Sequence, residues 1–173
     1  MQAEREKRMK CITRFGESVN YFDDYIRGGH GVVEKRIMQV KQKKQLEIEY
    51  FVDLLDDCIP VSCAVCNVPS HDHRDPEPGV RRIVMGLTRA VRANASGCLV
   101  RNRTIAKLSR GGERGLHVHL HSITLTNMAA LRGREVVIID DIVTSGSSLK
   151  ACKQIVGRAN PKKVTLIALA CVG

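Results

Sequence analysis

The sequence of 173 residues predicts one α/β domain built on a mainly parallel, doubly wound sheet. Two nearly continuous apolar runs, 59–68 and 164–171, have the length and composition of parallel strands covered on both faces. A third apolar run, 135–139, ends at the acidic pair Asp140-Asp141. Segments with helical spacing lie between these runs, so strands and helices are expected to alternate along the chain.

Three segments carry apolar residues at spacings of three and four, which predicts amphipathic helices. These segments are 34–57, 79–94 and 149–160. Pro161 blocks continuation of the last helix, because proline has no amide hydrogen and its ring clashes with the preceding turn. A crossover helix between two parallel strands is therefore expected after the acidic pair.

The middle of the chain is less regular. Residues 98–101 are expected to form a short strand, and 101–115 a mobile, cationic loop with three glycines. His117, His119 and His121 then alternate with apolar residues, which predicts a strand with the three imidazoles on one face. A metal or acid–base role remains open for this row, but a solvent-facing strand edge is the commoner explanation.

The composition is that of a soluble globular protein, with 43% hydrophobic and 27% charged residues. Aromatic residues make up only 3% and tryptophan is absent, which disfavours aromatic platforms for stacking bases. The formal net charge of +10 favours an anionic partner: nucleic acid, an acidic membrane surface or a phosphorylated metabolite. Charge alone does not choose among these, and nucleic acid is not the favoured partner.

The seven cysteines are an odd number in apolar surroundings, which predicts buried thiols in a reducing, cytoplasmic compartment. The first ten residues lack an apolar core, and no apolar run approaches the roughly 18 residues of a membrane span, so neither a leader nor a membrane helix is expected. Cys63 and Cys66, with His71 and His73, are zinc-ligand types. Positions 63 and 66 of a strand point to opposite faces, so we expect no zinc there.

The stretch 136–148, VVIIDDIVTSGSS, carries the clearest chemical signature in the chain. Its strand ends at the acidic pair, and a hydroxyl-rich turn then leads into the helix at 149–160. Amides at a helix start carry partial positive charge and hydroxyls add donors, so this turn suits a phosphate monoester. The candidate phosphate-binding residues are Thr144, Ser145, Gly146, Ser147 and Ser148.

The acidic pair further restricts the classes of ligand that fit this site. Asp140 and Asp141 would repel a phosphate unless they face something neutral or cationic, such as vicinal ribose hydroxyls or a divalent metal. The combination therefore predicts a site for a 5-phosphorylated ribose. A Walker B strand also ends in acids, but it requires a G-x-x-x-x-G-K-[ST] loop, which these 173 residues do not contain.

This stretch closely resembles the thirteen-residue motif with which type I phosphoribosyltransferases bind 5-phosphoribosyl 1-pyrophosphate (PRPP), and all thirteen positions fit. Residues 58–173 further resemble the ComF-type branch of that family. The resemblance implies a Rossmann-like phosphoribosyltransferase core at 58–173. Residues 1–57 match no family pattern, and we expect them to form a mostly helical hood over the acceptor site, the whole being a single domain.

The resemblance implies transfer of the 5-phosphoribosyl group from PRPP to an unidentified acceptor, with release of pyrophosphate. Asp140 and Asp141 would hold the ribose hydroxyls in an oxocarbenium-like transition state. The implied cofactor is Mg²⁺ bound with the substrate, bridging pyrophosphate and ribose hydroxyls, and no residue is assigned as a direct metal ligand.

Two further stretches carry the resemblance. Pro69, Ser70 and His71 resemble the loop whose backbone amides face the pyrophosphate. Arg101-x-Arg103-Thr104 and the later Arg114 resemble the basic mobile segment of the ComF-type branch. The resemblance thereby implies that these arginines act on the leaving pyrophosphate, with Arg103 and Arg114 as catalytic groups.

The chain departs from the family pattern in three places. It has no four-cysteine zinc module before the core, and Lys107 stands where the ComF-type segment usually carries glutamine. Thr144 stands where enzymes that salvage 6-oxopurines carry an aspartate, which disfavours hypoxanthine and guanine as acceptors. A non-catalytic module that senses PRPP or a nucleotide, or a ComF-like accessory protein that handles nucleic acid, remains the alternative, and a homodimer remains open.

Overall fold

The computed structural model describes residues 9–26, 28–105 and 115–172. Within these ranges the strands are β1 (Lys10–Arg14), β2 (Glu17–Tyr25), β3 (Ala64–Asn67), β4 (Ala93–Asn94), β5 (Leu99–Arg101), β6 (Ile123–Leu125), β7 (Glu135–Val143) and β8 (Lys163–Val172). The α-helices are α1 (Val32–Lys41), α2 (Gln45–Asp56), α3 (Gly79–Leu87), α4 (Leu116–Ser122) and α5 (Ser147–Gly157). A 3₁₀ turn, Met128–Ala130, precedes β7. No helix in the described ranges is long and apolar enough to span a membrane.

Six strands form the central sheet, in the order β1-β2-β8-β7-β3-β4. The pairs β2–β8, β8–β7, β7–β3 and β3–β4 are all parallel, and β1 alone runs antiparallel to its neighbour in this sheet. Strands β5 and β6 form a separate antiparallel pair. The predicted α/β class and mainly parallel sheet are therefore confirmed.

Alternate residues of β7 face two different hydrophobic clusters. Val136 and Ile138 pack with the apolar stripe of α5. Val137 and Ile139 pack on the other face, in a cluster to which α1, α2 and α3 contribute. Because β7 is covered on both faces, its side chains from Val136 to Ile139 are all apolar, and the sheet is doubly wound as predicted.

The expectation of a mostly helical N-terminal segment is wrong for residues 10–25, which form β1 and β2. Val19, with no exposed surface, and Phe22 are buried in the two core clusters, and β2 pairs along its length with β8. Among the described residues, the first helix begins at Val32. The sequence pattern did not predict β2, because its acidic side chains interrupt the apolar run that is typical of a buried central strand.

The three histidines are a second correction, because they lie on helix α4 and not on a strand. His119 is buried at 3% exposure, whereas His117 and His121 are exposed. Ser122 is buried three residues after His119, so the buried side recurs at the helical spacing. Alternation over so few residues fits both periods, which is why it predicted the wrong element.

Several element boundaries also differ from the predictions. The segment 34–57 is two helices, because the chain turns between α1 and α2 with Lys43 at a φ of +61°. The segment 79–94 is helical only to Leu87 and ends in β4, and the run 59–68 is a strand only over Ala64–Asn67. In each case the predicted segment was longer than the element, because apolar residues such as Val61 and Val91 lie in exposed flanking loops.

Candidate active site

A cavity of about 670 Å³ lies at the carboxyl ends of β3, β7 and β8, which is where parallel α/β sheets bind ligands. Its lining unites two stretches that lie far apart in the chain. The predicted site residues among the lining are Pro69, Ser70, His71, Asp140, Asp141, Thr144, Ser145, Ser147 and Ser148. The loop after β3 and the turn after β7 therefore border one space.

The acidic pair lies at the floor of this cavity and is held by short-range contacts. The Asp140 carboxylate accepts hydrogen bonds from its neighbour's amide, at 2.9 Å, and from Ser148 Oγ, at 3.1 Å. The Asp141 carboxylate accepts the amide of Ile142 at 2.7 Å and pairs with Lys41 Nζ at 3.1 Å. The two carboxylates thus differ: only Asp141 has a cationic partner among the described residues.

This difference has an electrostatic consequence. Burial, followed by the negative charge of Asp141, raises the pKa of Asp140 to about 7, although the hydrogen bonds from the Asp141 amide and Ser148 oppose the shift. A carboxyl group in this state lacks a compensating cation. A divalent metal or positive charge developing on a sugar ring would supply it, and would drive Asp140 to its ionised form.

The hydroxyl-rich turn has the geometry of an anion site. Gly146 has a φ of +82°, in the left-handed region, and caps the start of α5. Ser145 Oγ lies 3.0 Å from Ser147 Oγ and accepts the Ser147 amide at 3.4 Å. The amides of the first turn of α5 and these hydroxyls are donors at one helix start, where an anion would be stabilised.

The predicted arginines occupy different environments. Arg101 is the last residue of β5, is only 5% exposed and lines the cavity, so it is not part of an exposed mobile segment. Arg103 is exposed and is not among the residues that line the cavity. Arg114 and Lys107 lie outside the described residues.

Residues 86–172, half of the chain, match the family model described as the phosphoribosyl transferase domain. The chain belongs to the phosphoribosyltransferase family. The matched region contains β7, the acidic pair, the hydroxyl-rich turn and α5.

Two curated relatives are the proteins named transcriptional regulator GfcR from Methanococcus maripaludis strains C5 and C7. Each is 42% identical over 57 residues, which cover 30% of this chain and 28% of the relative. The match therefore spans less than a third of the length of these relatives.

Among solved structures, a hypoxanthine phosphoribosyltransferase from Staphylococcus aureus is 11% identical, with a TM-score of 0.44 over 78% of this chain and 64% of that one. A purine phosphoribosyltransferase from Pyrococcus horikoshii is 18% identical, with a TM-score of 0.44 over 78% of this chain and 74% of that one.

The acidic pair is the part of this cavity that could hold Mg²⁺. Carboxylate oxygens are the ligands that Mg²⁺ prefers, and the raised pKa of Asp140 shows that a nearby cation would be favourable. The described residues contain no group of three or more His, Cys, Asp or Glu side chains arranged for a metal. The donor set therefore fits an ion that arrives with a diphosphate ligand, which would provide the remaining oxygens.

Cys63 and Cys66, the two cysteines of the zinc-ligand pattern, face opposite sides of the sheet, as predicted. Cys63 belongs to the cluster with α1, α2 and α3, and its thiol donates to the carbonyl of Pro60 at 2.9 Å. Cys66 belongs to the cluster with α5. Two thiols separated by the sheet cannot share one ion, so zinc-free purified protein remains our prediction.

Two residues that line the cavity were missed by sequence reasoning. Lys41 lies in a segment that was predicted only as an amphipathic helix, but it ends α1 and pairs with Asp141. His119 was assigned to a strand edge, but it is buried beside the cavity on α4. No local pattern marks Lys41, because the pair joins residues 100 positions apart. A helical prediction for 116–122 would have drawn attention to His119.

The raised pKa of Asp140 predicts a pH dependence of stability. The folded protein binds this proton more tightly than the unfolded chain, so the free energy of unfolding should fall as pH rises from about 4 to about 7. Because the carboxyl is half-buried, we expect a loss on the order of 1–2 kcal/mol. Urea unfolding at pH 5 and pH 8 measures it, and Asp140→Asn should lose less over that interval than the wild type. Equal losses in both proteins would contradict the prediction.

Proposed function

We propose that this protein binds PRPP with Mg²⁺ in the cavity and transfers the 5-phosphoribosyl group to an acceptor, releasing pyrophosphate. The observation that carries the proposal is the single cavity bordered by the acidic pair, the hydroxyl-rich turn and the loop after β3. Its three parts match the three parts of PRPP: ribose hydroxyls, 5-phosphate and pyrophosphate. Membership of the family supports the same reaction type.

Each part of the cavity then has a chemical task. The first-turn amides of α5, with Thr144, Ser145, Ser147 and Ser148, hold the 5-phosphate. Asp140 and Asp141 accept hydrogen bonds from the ribose hydroxyls and stabilise positive charge that develops on the ring as pyrophosphate departs. Mg²⁺, when bound with PRPP, supplies charge neutralisation for the leaving group. The cavity walls exclude water, which would otherwise compete with the acceptor.

Arg103 and Arg114 remain proposed catalytic groups for the leaving pyrophosphate. The proposal for Arg103 is supported by its exposed guanidinium, two residues beyond the cavity-lining Arg101. A guanidinium recognises phosphate oxygens through two parallel hydrogen bonds, which suits a group that must contact the departing pyrophosphate. Arg114 is proposed from the sequence resemblance alone.

The segment 1–57 is proposed to form the hood over the acceptor, in a protein of the ComF-like branch. Tyr25, Met38 and Lys41 line the cavity from this segment, which supports the proposal. Thr144 at the turn argues against a 6-oxopurine acceptor, because its hydroxyl cannot be the charged proton partner that such bases require. The homodimer and the cytoplasmic location predicted from the sequence remain proposals as well.

A second candidate function is a non-catalytic module that senses PRPP or a nucleotide. The observation that favours it is the 42% identity, over 57 residues, to proteins named transcriptional regulators. Such a module would use the same cavity for binding and would release no pyrophosphate. Release of pyrophosphate therefore distinguishes the two candidate functions, whereas affinity for the ligand does not.

Binding of PRPP is the first experiment. At about 100 times its Kd, a ligand specific for the folded state raises the free energy of unfolding by roughly 2.7 kcal/mol, so the melting temperature should rise. The measurement is a thermal shift with PRPP plus Mg²⁺, with Mg²⁺ alone as the control. An unchanged melting temperature at saturating PRPP would contradict the transferase and a module that senses PRPP.

A further inference from the structure

The loop between β3 and α3 is hydrogen-bonded to the buried guanidinium of Arg101. Arg101 Nε donates to the carbonyl oxygen of Ser70 at 2.5 Å, and Arg101 Nη2 donates to that of Pro69 at 3.5 Å. Its remaining terminal nitrogen, Nη1, donates to Ser122 Oγ on α4 at 2.5 Å. Burial of a charged side chain is costly unless it is paired or hydrogen-bonded, so these contacts explain how Arg101 is tolerated at 5% exposure.

These contacts fix the orientation of two peptide planes. In a trans peptide the carbonyl and the amide N–H point in opposite directions, and the described residues contain no cis peptide. The carbonyl of Pro69 shares its plane with the N–H of Ser70, and the carbonyl of Ser70 shares its plane with the N–H of His71. Carbonyls held against a buried arginine therefore turn both N–H groups away from the protein interior, on a loop that borders the cavity.

We infer that Arg101 is a positioning residue, which orients the amides of Ser70 and His71 to receive the pyrophosphate of the bound ligand. The inference rests on the proposed function. Successive amides pointing to one side form a concave anion site of the kind that binds phosphate groups. The Ser70 amide has no hydrogen-bond acceptor among the described residues, as expected of a donor that is kept for a ligand.

The residues after Arg101 hold the same loop from its other end. The amide of Ile105 donates to the carbonyl of His71 at 2.9 Å, and Thr104 Oγ1 donates to Asp72 Oδ1 at 3.0 Å. Arg74 also donates to both oxygens of the Asp72 carboxylate, at 3.0 and 2.9 Å, and these bonds hold the pKa of Asp72 well below its usual range. The segment 101–105 thus acts as a clamp on 69–72, with Arg101 as its buried end.

Two other roles for Arg101 make different predictions. If Arg101 served only as a cation for the pyrophosphate, lysine would replace it well, because lysine keeps the charge. If Arg101 served only to support the fold through Ser122, its loss would weaken every part of the ligand site together. A positioning role predicts a selective loss, since the 5-phosphate turn lies on a different loop and makes no contact with the clamp among the bonds described above.

The test measures two fragments of PRPP separately by calorimetry: Mg²⁺-pyrophosphate and ribose 5-phosphate. Arg101→Met should weaken binding of pyrophosphate and of PRPP at least tenfold and should change the Kd of ribose 5-phosphate less than twofold. Arg101→Lys should also weaken pyrophosphate binding at least fivefold, because the three donors of an ammonium lie on one atom and lack the spread of the guanidinium fork. Thr104→Val, at the exposed end of the clamp, should also weaken pyrophosphate binding more than ribose 5-phosphate binding, but by a smaller factor than Arg101→Met. Arg132→Met removes an exposed arginine outside the cavity lining and is the matched control.

The outcomes separate this inference from the proposed function. Wild-type affinity for pyrophosphate in Arg101→Met or Arg101→Lys would overturn the positioning role, and so would equal losses for both fragments. If Arg101→Met fails to fold, Arg101→Lys and Thr104→Val decide the question. For each of them the loss of pyrophosphate affinity is compared with the loss of ribose 5-phosphate affinity. A wild-type protein that binds ribose 5-phosphate and PRPP leaves the proposed function intact whatever the variants do. A wild-type protein that binds none of these ligands would remove the proposed function itself.

Discussion

Replacing Asp141 with Asn is expected to lower kcat at least about tenfold, which corresponds to ~1.4 kcal/mol of activation free energy. The substitution keeps the shape of the side chain and one hydrogen-bond acceptor but removes a negative charge next to Asp140. In a working transferase that charge stabilises the ribose ring more in the transition state than in the ground state. The affinity for PRPP should therefore change less than kcat. Steady-state pyrophosphate release and calorimetry with PRPP measure the two quantities.

The ion pair with Lys41 has to be considered in the same experiment. Asp141→Asn also removes the partner of Lys41, but a pair between half-exposed side chains contributes only about 0–1 kcal/mol to stability. A small change in melting temperature is therefore compatible with the prediction. Asp57→Asn removes one exposed carboxylate away from the cavity and controls for the change in net charge.

Turnover also distinguishes the two candidate functions. An enzyme should release pyrophosphate with at least one acceptor from a panel of nucleobases, ammonia and simple amines. A sensing module should bind PRPP and release none, and Asp141→Asn should then alter affinity alone. Tight PRPP binding without turnover across the panel would contradict the enzyme and favour the sensor.

Replacing Gly146 with Ala is expected to lower the free energy of unfolding by about 2 kcal/mol and to weaken ribose 5-phosphate binding at least tenfold. The left-handed backbone at a φ of +82° costs a residue with a Cβ about 1–2 kcal/mol. A Cβ at this position would also lie 2.8 Å from Arg14 Cβ and 3.2 Å from the Arg14 carbonyl oxygen, so the turn must move. Moving the turn displaces the amides that start α5.

Gly133 provides a matched control for this substitution. It also has a positive φ, of +67°, but a Cβ there would meet no atom within 4 Å, and it does not line the cavity. Gly133→Ala therefore carries the backbone strain without the contact. Urea unfolding of both variants isolates the contribution of the contact with Arg14. Equal stability losses in the two variants, with unchanged ribose 5-phosphate binding in Gly146→Ala, would rule out the assigned role of the turn.

The strand, turn and helix of the candidate site could be predicted from the sequence because they are consecutive in the chain. The apolar run of β7, the acidic pair, Gly146 and the apolar stripe of α5 each depend on local torsions and local periodicity. Because these residues follow one another in the chain, the hydroxyl side chains lie at the start of a helix, directly after a buried parallel strand. The chemistry of the turn therefore follows from 136–148 alone.

Only the tertiary structure decided which distant residues join this turn. β2 was missed because its strand character depends on pairing with β8, which lies some 147 residues further along the chain. Lys41 reaches Asp141, and Arg101 reaches the carbonyls of 69–70, through contacts that leave no periodic trace in the sequence. The physical reason is that local patterns record torsions and burial, whereas the partner of a charged side chain is set by how whole elements pack.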